Sequence, residues 1–151
     1  MPHLSARDIA TSVCRHWSDA MTSDIVTIYP GIDAGTETLT EWYELWVDAW
    51  STRTQRTGAP ESWDVSVSVH GFTKPGLDAG RVQDLAETAR RILAAALIPV
   101  RATSADPLLG YLQLQEPEIL DLSRGHRERR HSSLRHALVR CRGVAQTVVE
   151  G

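Results

Sequence analysis

The chain has 151 residues, of which 42% are hydrophobic and 23% charged, with a formal net charge of −3. That is one globular domain of ordinary size, long enough to bury a core, and it excludes only the compositional extremes. No run approaches the ~18 apolar residues of a membrane span, and Met1-Pro2-His3-Leu4-Ser5 lacks the basic-then-apolar layout of a signal peptide, so the expectation is a protein made and kept in a cytoplasm. Cys14 and Cys141 form neither a disulfide framework nor a metal knuckle and read as small buried hydrophobes.

The first element is a helix. Ser5 with Asp8 three residues on suggests a capping arrangement, and Ile9, Val13, Trp17, Ala20 and Met21 recur at helical spacing until Ser23-Asp24. Ile25-Val26-Thr27-Ile28-Tyr29 is rich in β-branched residues and stops at the turn signal Pro30-Gly31. After a polar connection over 31–40, EWYELWVDAW (41–50) alternates. Tyr43, Leu45, Val47 and Ala49 take one face; Trp42, Glu44, Trp46, Asp48 and Trp50 take the other. The alternation favours a strand over a helix.

Residues 51–62 (STRTQRTGAPES) read as the loop joining this strand to an antiparallel partner. In WDVSVSVHGFT, Trp63, Val65, Val67 and Val69 share one face and Asp64, Ser66, Ser68 and His70 the other, the mark of a strand that is half buried and half wet. Lys74-Pro75-Gly76 ends it. Asp78 is placed to cap a second helix, in which Val82, Leu85, Ala86, Ala89, Ile92, Leu93, Ala96 and Leu97 make the apolar stripe and Pro99 is the stop. LLGYLQLQEPEIL (108–120) reads as a strand that Pro117 pushes to an edge or bulge. A basic loop over 121–133 leads to a last strand from Leu134 to Val149. The order α-β-β-β-α-β-β argues for an α+β domain, an antiparallel or mixed sheet with two helices on one face.

No catalytic constellation emerges. The six histidines show no HExxH or paired metal spacing. Ser123, Ser132 and Ser133 lie near histidines without a GxSxG elbow, and no P-loop or GxGxxG is present. Cys14 and His16 point apart on a helix. Glu116 and Glu118 would share a strand face, as paired acids or simply as an exposed acidic edge. The expectation is a protein that is not an enzyme and needs no cofactor or metal.

Two features stand out. Five tryptophans accompany one phenylalanine, and three of them form the Trp42/Trp46/Trp50 row with Glu44 and Asp48. Either both sheet faces are covered, or this face meets another copy of the protein, since tryptophan is a frequent interface anchor. The second is a charge asymmetry. Residues 1–123 carry 9 basic and 17 acidic side chains, net −8, whereas 124–151 carry 7 and 2, net +5. The basic run is Arg124, Arg127, Arg129, Arg130, Arg135, Arg140 and Arg142. It reads as a solvated face, or as a contact for an acidic partner or for nucleic acid. Interleaved aromatics for base stacking are missing. Lys74 is the only lysine, a bias that points to a GC-rich genome.

The α-β-β-β-α start resembles a double-stranded RNA-binding domain, but the second helix opens with LDAGRVQDLAE and lacks that family's lysines. In layout the chain resembles more closely the tail terminators of long-tailed phages, also called the minor tail protein U type. The resemblance covers most of the chain: an opening amphipathic helix, IVTIYPG, the alternating strand WDVSVSVHGFTKP leading into AGRVQDLAETARRILAAAL, and LGYLQLQEPEIL and LRHALVRCRGVAQTVVEG around a charged loop.

The resemblance implies one structural domain over 1–151. It would form a homohexameric ring that caps the tail tube, ends its polymerisation and docks the head connector. Its partners would be itself, the major tail tube protein, the connector, and DNA passing through the lumen without sequence-specific binding, with no membrane involved. It would reside in the virion after assembly in the host cytoplasm. On this expectation Trp42, Glu44, Trp46, Asp48 and Trp50 form a subunit interface. Arg124, Arg127, Arg129, Arg130, Arg140 and Arg142 make a ring-to-ring or partner contact. The alternatives are another neck subunit, for head completion or head–tail joining, or a small nucleic-acid-binding regulator using Arg124 to Arg142.

Overall fold

The computed structural model describes residues 3–51, 60–76, 78, 80–123 and 134–148. The order is α1 (Ala6–Ala20), β1 (Val26–Ile28), β2 (Glu41–Ser51), β3 (Ser62–Thr73), α2 (Arg81–Leu93), β4 (Leu97–Val100), β5 (Gly110–Leu114), β6 (Glu118–Asp121) and β7 (Arg135–Thr147). The class is α+β, as the patterning predicts. One mixed sheet runs β1-β2-β3-β7-β5-β4, with β6 also on β7. Among the described strands only the β1–β2 pair is parallel.

The period-2 patterns settle the long strands. Val65, Val67 and Val69 on β3 are at most 1% exposed. In antiparallel register they stand beside Ala49, Val47 and Leu45 of β2 and Gly143, Cys141 and Val139 of β7. These residues face α1 and α2, whose Ile9, Val13, Trp17, Val82, Leu85, Ala86, Ala89 and Leu93 complete one core. Helix α1 touches both β2 and β4, strands near opposite ends of the sheet order. The sheet therefore curls around the helices, which fill its concave side.

Three features differ from the sequence reading. Helix α2 stops at Leu93, and the tail of its expected stripe turns at Ala95 (φ 50°) into β4. Ile98 and Val100 are buried while Leu97 and Pro99 face out, so the pattern changes from period 3.6 to period 2 within four residues. The proline also disfavours helical backbone at the residue before it. Its missing N–H is tolerated because β4 ends the sheet order. Asp78 does not cap α2. Its Oδ1 accepts from the Gly80 N–H (2.9 Å), and Gly80 itself holds the N-cap position without a side-chain bond. The single expected strand over 108–120 splits at Pro117 into β5 and β6, which pair with successive stretches of β7. By contrast, Ser5 caps α1 as expected, accepting from the Asp8 N–H at 3.0 Å.

Candidate contact surface

One side of the sheet is sealed by helices; the other is built from the alternate residues of β2, β3, β7, β6 and β5. Register places these side chains in rows across the strands. Trp42 stands beside Phe72 and then His136. Glu44 stands beside His70 and Leu138. Trp46 is followed by Ser68, Arg140 and Glu118, and Asp48 by Ser66 and Arg142. Trp50 is followed by Asp64, Val144 and Gln113.

The upper end of this face is a closed stack. The Trp42 and Phe72 rings are 5.1 Å apart and nearly parallel, and Phe72 lies 4.3 Å from the His136 ring. The His70 Nδ1 and His136 Nε2 atoms approach to 2.7 Å, so one ring donates and the other accepts. Burial pushes the His70 pKa below the usual imidazole value, partly offset by the Glu44 carboxylate across the strand pair. Lys74 caps the stack with its ammonium 5.7 Å from the Trp42 ring, and it donates to the carbonyls of Thr36 and Glu37. Trp42 is consequently buried, only 4% exposed.

The lower part of the face is different. Trp46 is 51% and Trp50 46% exposed, so they stand as a ridge along β2. Over β3 and β7 a groove of about 470 Å³ opens, lined by Ser66, Ser68, Glu116, Glu118, Arg140 and Arg142 among others. Arg140 donates to Glu118 and Glu116 accepts from Arg90 at 2.9 Å, so these two glutamates serve separate arginines rather than acting as a pair. Asp48 and Arg142 are both exposed. They flank Ser66 in the sheet, their backbones about 10 Å apart at two strand spacings.

Of the residues singled out in the sequence, Trp42, Glu44, Trp46, Asp48, Trp50, Arg140 and Arg142 all lie on this one face. Trp42 belongs to its buried stack and the others surround or line the open part. Arg124, Arg127, Arg129 and Arg130 lie outside the described residues, as does most of the basic loop, 124–133. The stack of Phe72, His70 and His136 is not legible in the sequence. Alternation alone placed His70 on the wet face, but the pairing of β3 with β7 brings His136 to it.

Among the described residues no group of three His, Cys, Asp or Glu side chains is placed to hold a metal ion. Burial raises the Cys14 thiol pKa and pushes Cys141 up to about 11, which disfavours the thiolate at neutral pH. His16 is half-buried with its Nε2 3.0 Å from the Ile92 carbonyl, joining α1 to the end of α2. Ser123 exchanges hydrogen bonds with the backbone of His136. No helix among the described residues is long and apolar enough to cross a membrane.

Fold and surface together define a class: an α+β domain with one sheet face sealed by two helices and the other open, ridged with tryptophan and mixed in charge. No protein-family model matches the chain, and no curated protein matches it.

Proposed function

We propose that this chain is a structural subunit of the tail-terminator type, forming a ring that caps a phage tail tube, ends its polymerisation and presents a docking surface to the head connector. The observation that most supports this reading is the open sheet face. Its exposed residues, Trp46, Asp48, Trp50 and Arg142, are of the types that anchor protein contacts, and among the described residues their side chains make no hydrogen bond or ion pair. In this reading Trp46, Asp48 and Trp50 of β2 and the Arg140/Arg142 row of β7 are contact surfaces for protein, while Trp42 serves the buried stack. Leu97 and Val26, 57% and 44% exposed on the two edge strands of the sheet, are available for lateral closure of the ring.

The described part of the basic segment gives no support to the nucleic-acid alternative. Arg140 is paired with Glu118, and Arg142 shares its face with Asp48, Asp64 and Glu116, so no single-sign basic surface forms among the described residues.

The test is loss of the gene in a particle that encodes it. Overlong tails without heads are the expected outcome. Tails of normal length joined to heads would overturn the reading, and normal tails beside unjoined heads would point to a head-completion subunit instead.

A further inference from the structure

We infer that in the free chain the open sheet face is covered by a second copy of the same chain, related by a two-fold axis that lies between the two sheets and runs along β3. This goes beyond the assembly proposed above and stands whether or not the final particle is a tail.

The tryptophan and acid row of β2 and the arginine row of β7 flank β3 on a single face. For the β2 row of one copy to meet the β7 row of another, the two faces must point at each other. A half-turn about an axis parallel to the strands does this, and it exchanges the β2 side with the β7 side while keeping each residue at its level. A contact of this kind is isologous and closes at two copies.

Level by level, the side chains that then meet are complementary. Asp48 faces Arg142 of the second copy, and the reverse pair forms at the same time. Both are exposed charges with no ion pair among the described residues. Trp46 faces the Arg140 level, where guanidinium and indole attract. Trp50 faces Val144, which is 38% exposed. On the axis stand Ser66 and Ser68, small enough for like to meet like.

Shape agrees with charge. The β2 ridge of Trp46 and Trp50 stands beside the groove over β3 and β7, and the half-turn lowers each ridge into the other copy's groove. The groove's volume, about 470 Å³, is ample for an indole side chain. Packed sheets align to within about 30°, and the central Ser66 level keeps its partners under that rotation. From Glu44 to Trp50, the open part of the row, the contact is about 20 Å long, and three strands make it about 14 Å wide. That footprint is on the order of 300 Å² per copy, well below the ~800 Å² per partner of a standard stable interface and in the range of weak, transient contacts. The pair is therefore reversible rather than obligate.

Sedimentation velocity at a series of concentrations up to several hundred micromolar tests this on the full chain. The wild type should reach twice the chain mass. Asp48→Arg and Arg142→Asp, each alone, put like charges together twice and should weaken the association at least tenfold. An equimolar mixture of the two variants should pair again, as should the double reversal D48R/R142D. Recovery in the mixture also establishes that both variants are folded. The milder Asp48→Asn and Arg142→Gln should each weaken association without repulsion, which keeps the test available if a reversal fails to fold.

A wild type that stays monomeric overturns the inference and leaves the face to a different protein. An unchanged dimer in the single variants overturns it as well. Species larger than two chains in the mixture would exclude the two-fold and indicate head-to-tail assembly.

Discussion

The His70 Nδ1 atom lies 2.7 Å from His136 Nε2, diagonally across the central β3–β7 pair, with the two ring centroids 4.9 Å apart. The contact holds with one proton shared between the facing nitrogens; a second would set two positive donors against each other. Burial already lowers the His70 pKa, and Glu44 is the carboxylate that faces it from β2. The folded state thus binds protons less readily than the unfolded chain. The contribution of His70 to stability is whole above the ordinary histidine value of about 6.5 and is lost as pH falls through the depressed folded value. Thermal unfolding followed from pH 7.5 down to pH 5.5 should give a falling midpoint. In His136→Gln the fall should be shallower over the same window. An identical slope in the variant would show that the pair does not carry the dependence.

Two glycines mark where β5 and β7 come too close for a side chain. A Cβ built at Gly143 would sit 2.4 Å from the Gln113 carbonyl oxygen, and one at Gly110 would sit 2.1 Å from that of Gln146. Both obstacles are backbone, so neither can swing aside. Gly143→Ala should cost about 3 kcal/mol or more, at the upper end of overpacking effects, measured by urea unfolding. Gly71→Ala provides the control. The nearest atoms to its added carbon are side-chain atoms of Leu85, at 3.4 Å or more, and of Tyr43, at 3.7 Å, and it should cost less than Gly143→Ala.

Tyr43 ties the sheet to α2. Its hydroxyl donates to the Leu85 carbonyl at 2.8 Å within the core, and its ring meets Trp17 edge-on at 5.2 Å. Burial holds its pKa well above the usual tyrosine value. Tyr43→Phe keeps the packing and removes one hydrogen bond, for a loss of about 1 kcal/mol. Trp17→Ala removes a fully buried ring and its bond to Thr27 (2.9 Å), for about 4 kcal/mol. Denaturant midpoints of the two variants should separate accordingly.

The tryptophans of β2 should divide by burial although they alternate identically in sequence. Trp46→Ser and Trp50→Ser should each change stability by about 1 kcal/mol or less, the range expected for exposed strand positions. They should lower the mass seen by light scattering at high concentration. Trp42→Ser empties a place in the stack against Phe72 and should cost about 3 kcal/mol. Association lost only together with stability in all three would remove the ridge from the contact.

Much of this molecule follows from local pattern. The wet and dry faces of β2 and β3, the Ser5 cap of α1, the stripe of α2 through Leu93 and the α+β class are all legible because a period of 2 or 3.6 separates buried from exposed positions within one element. The tryptophan row and the Arg140/Arg142 pair were likewise visible as unusual composition. What the sequence by itself could not determine is which strand lies beside which. That choice belongs to non-local hydrogen bonding and to the packing of the curled sheet around α1 and α2. Leu97 through Val100 became an edge strand because Ile98 and Val100 had a core to enter. Pro117 divided one apolar run between two stretches of β7. The same pairing set His136 against His70, and it set Asp48 and Arg142 on one face with a serine between them. Two features some 90 residues apart thereby became one surface, because β3 forms its two ladders with β2 on one side and β7 on the other.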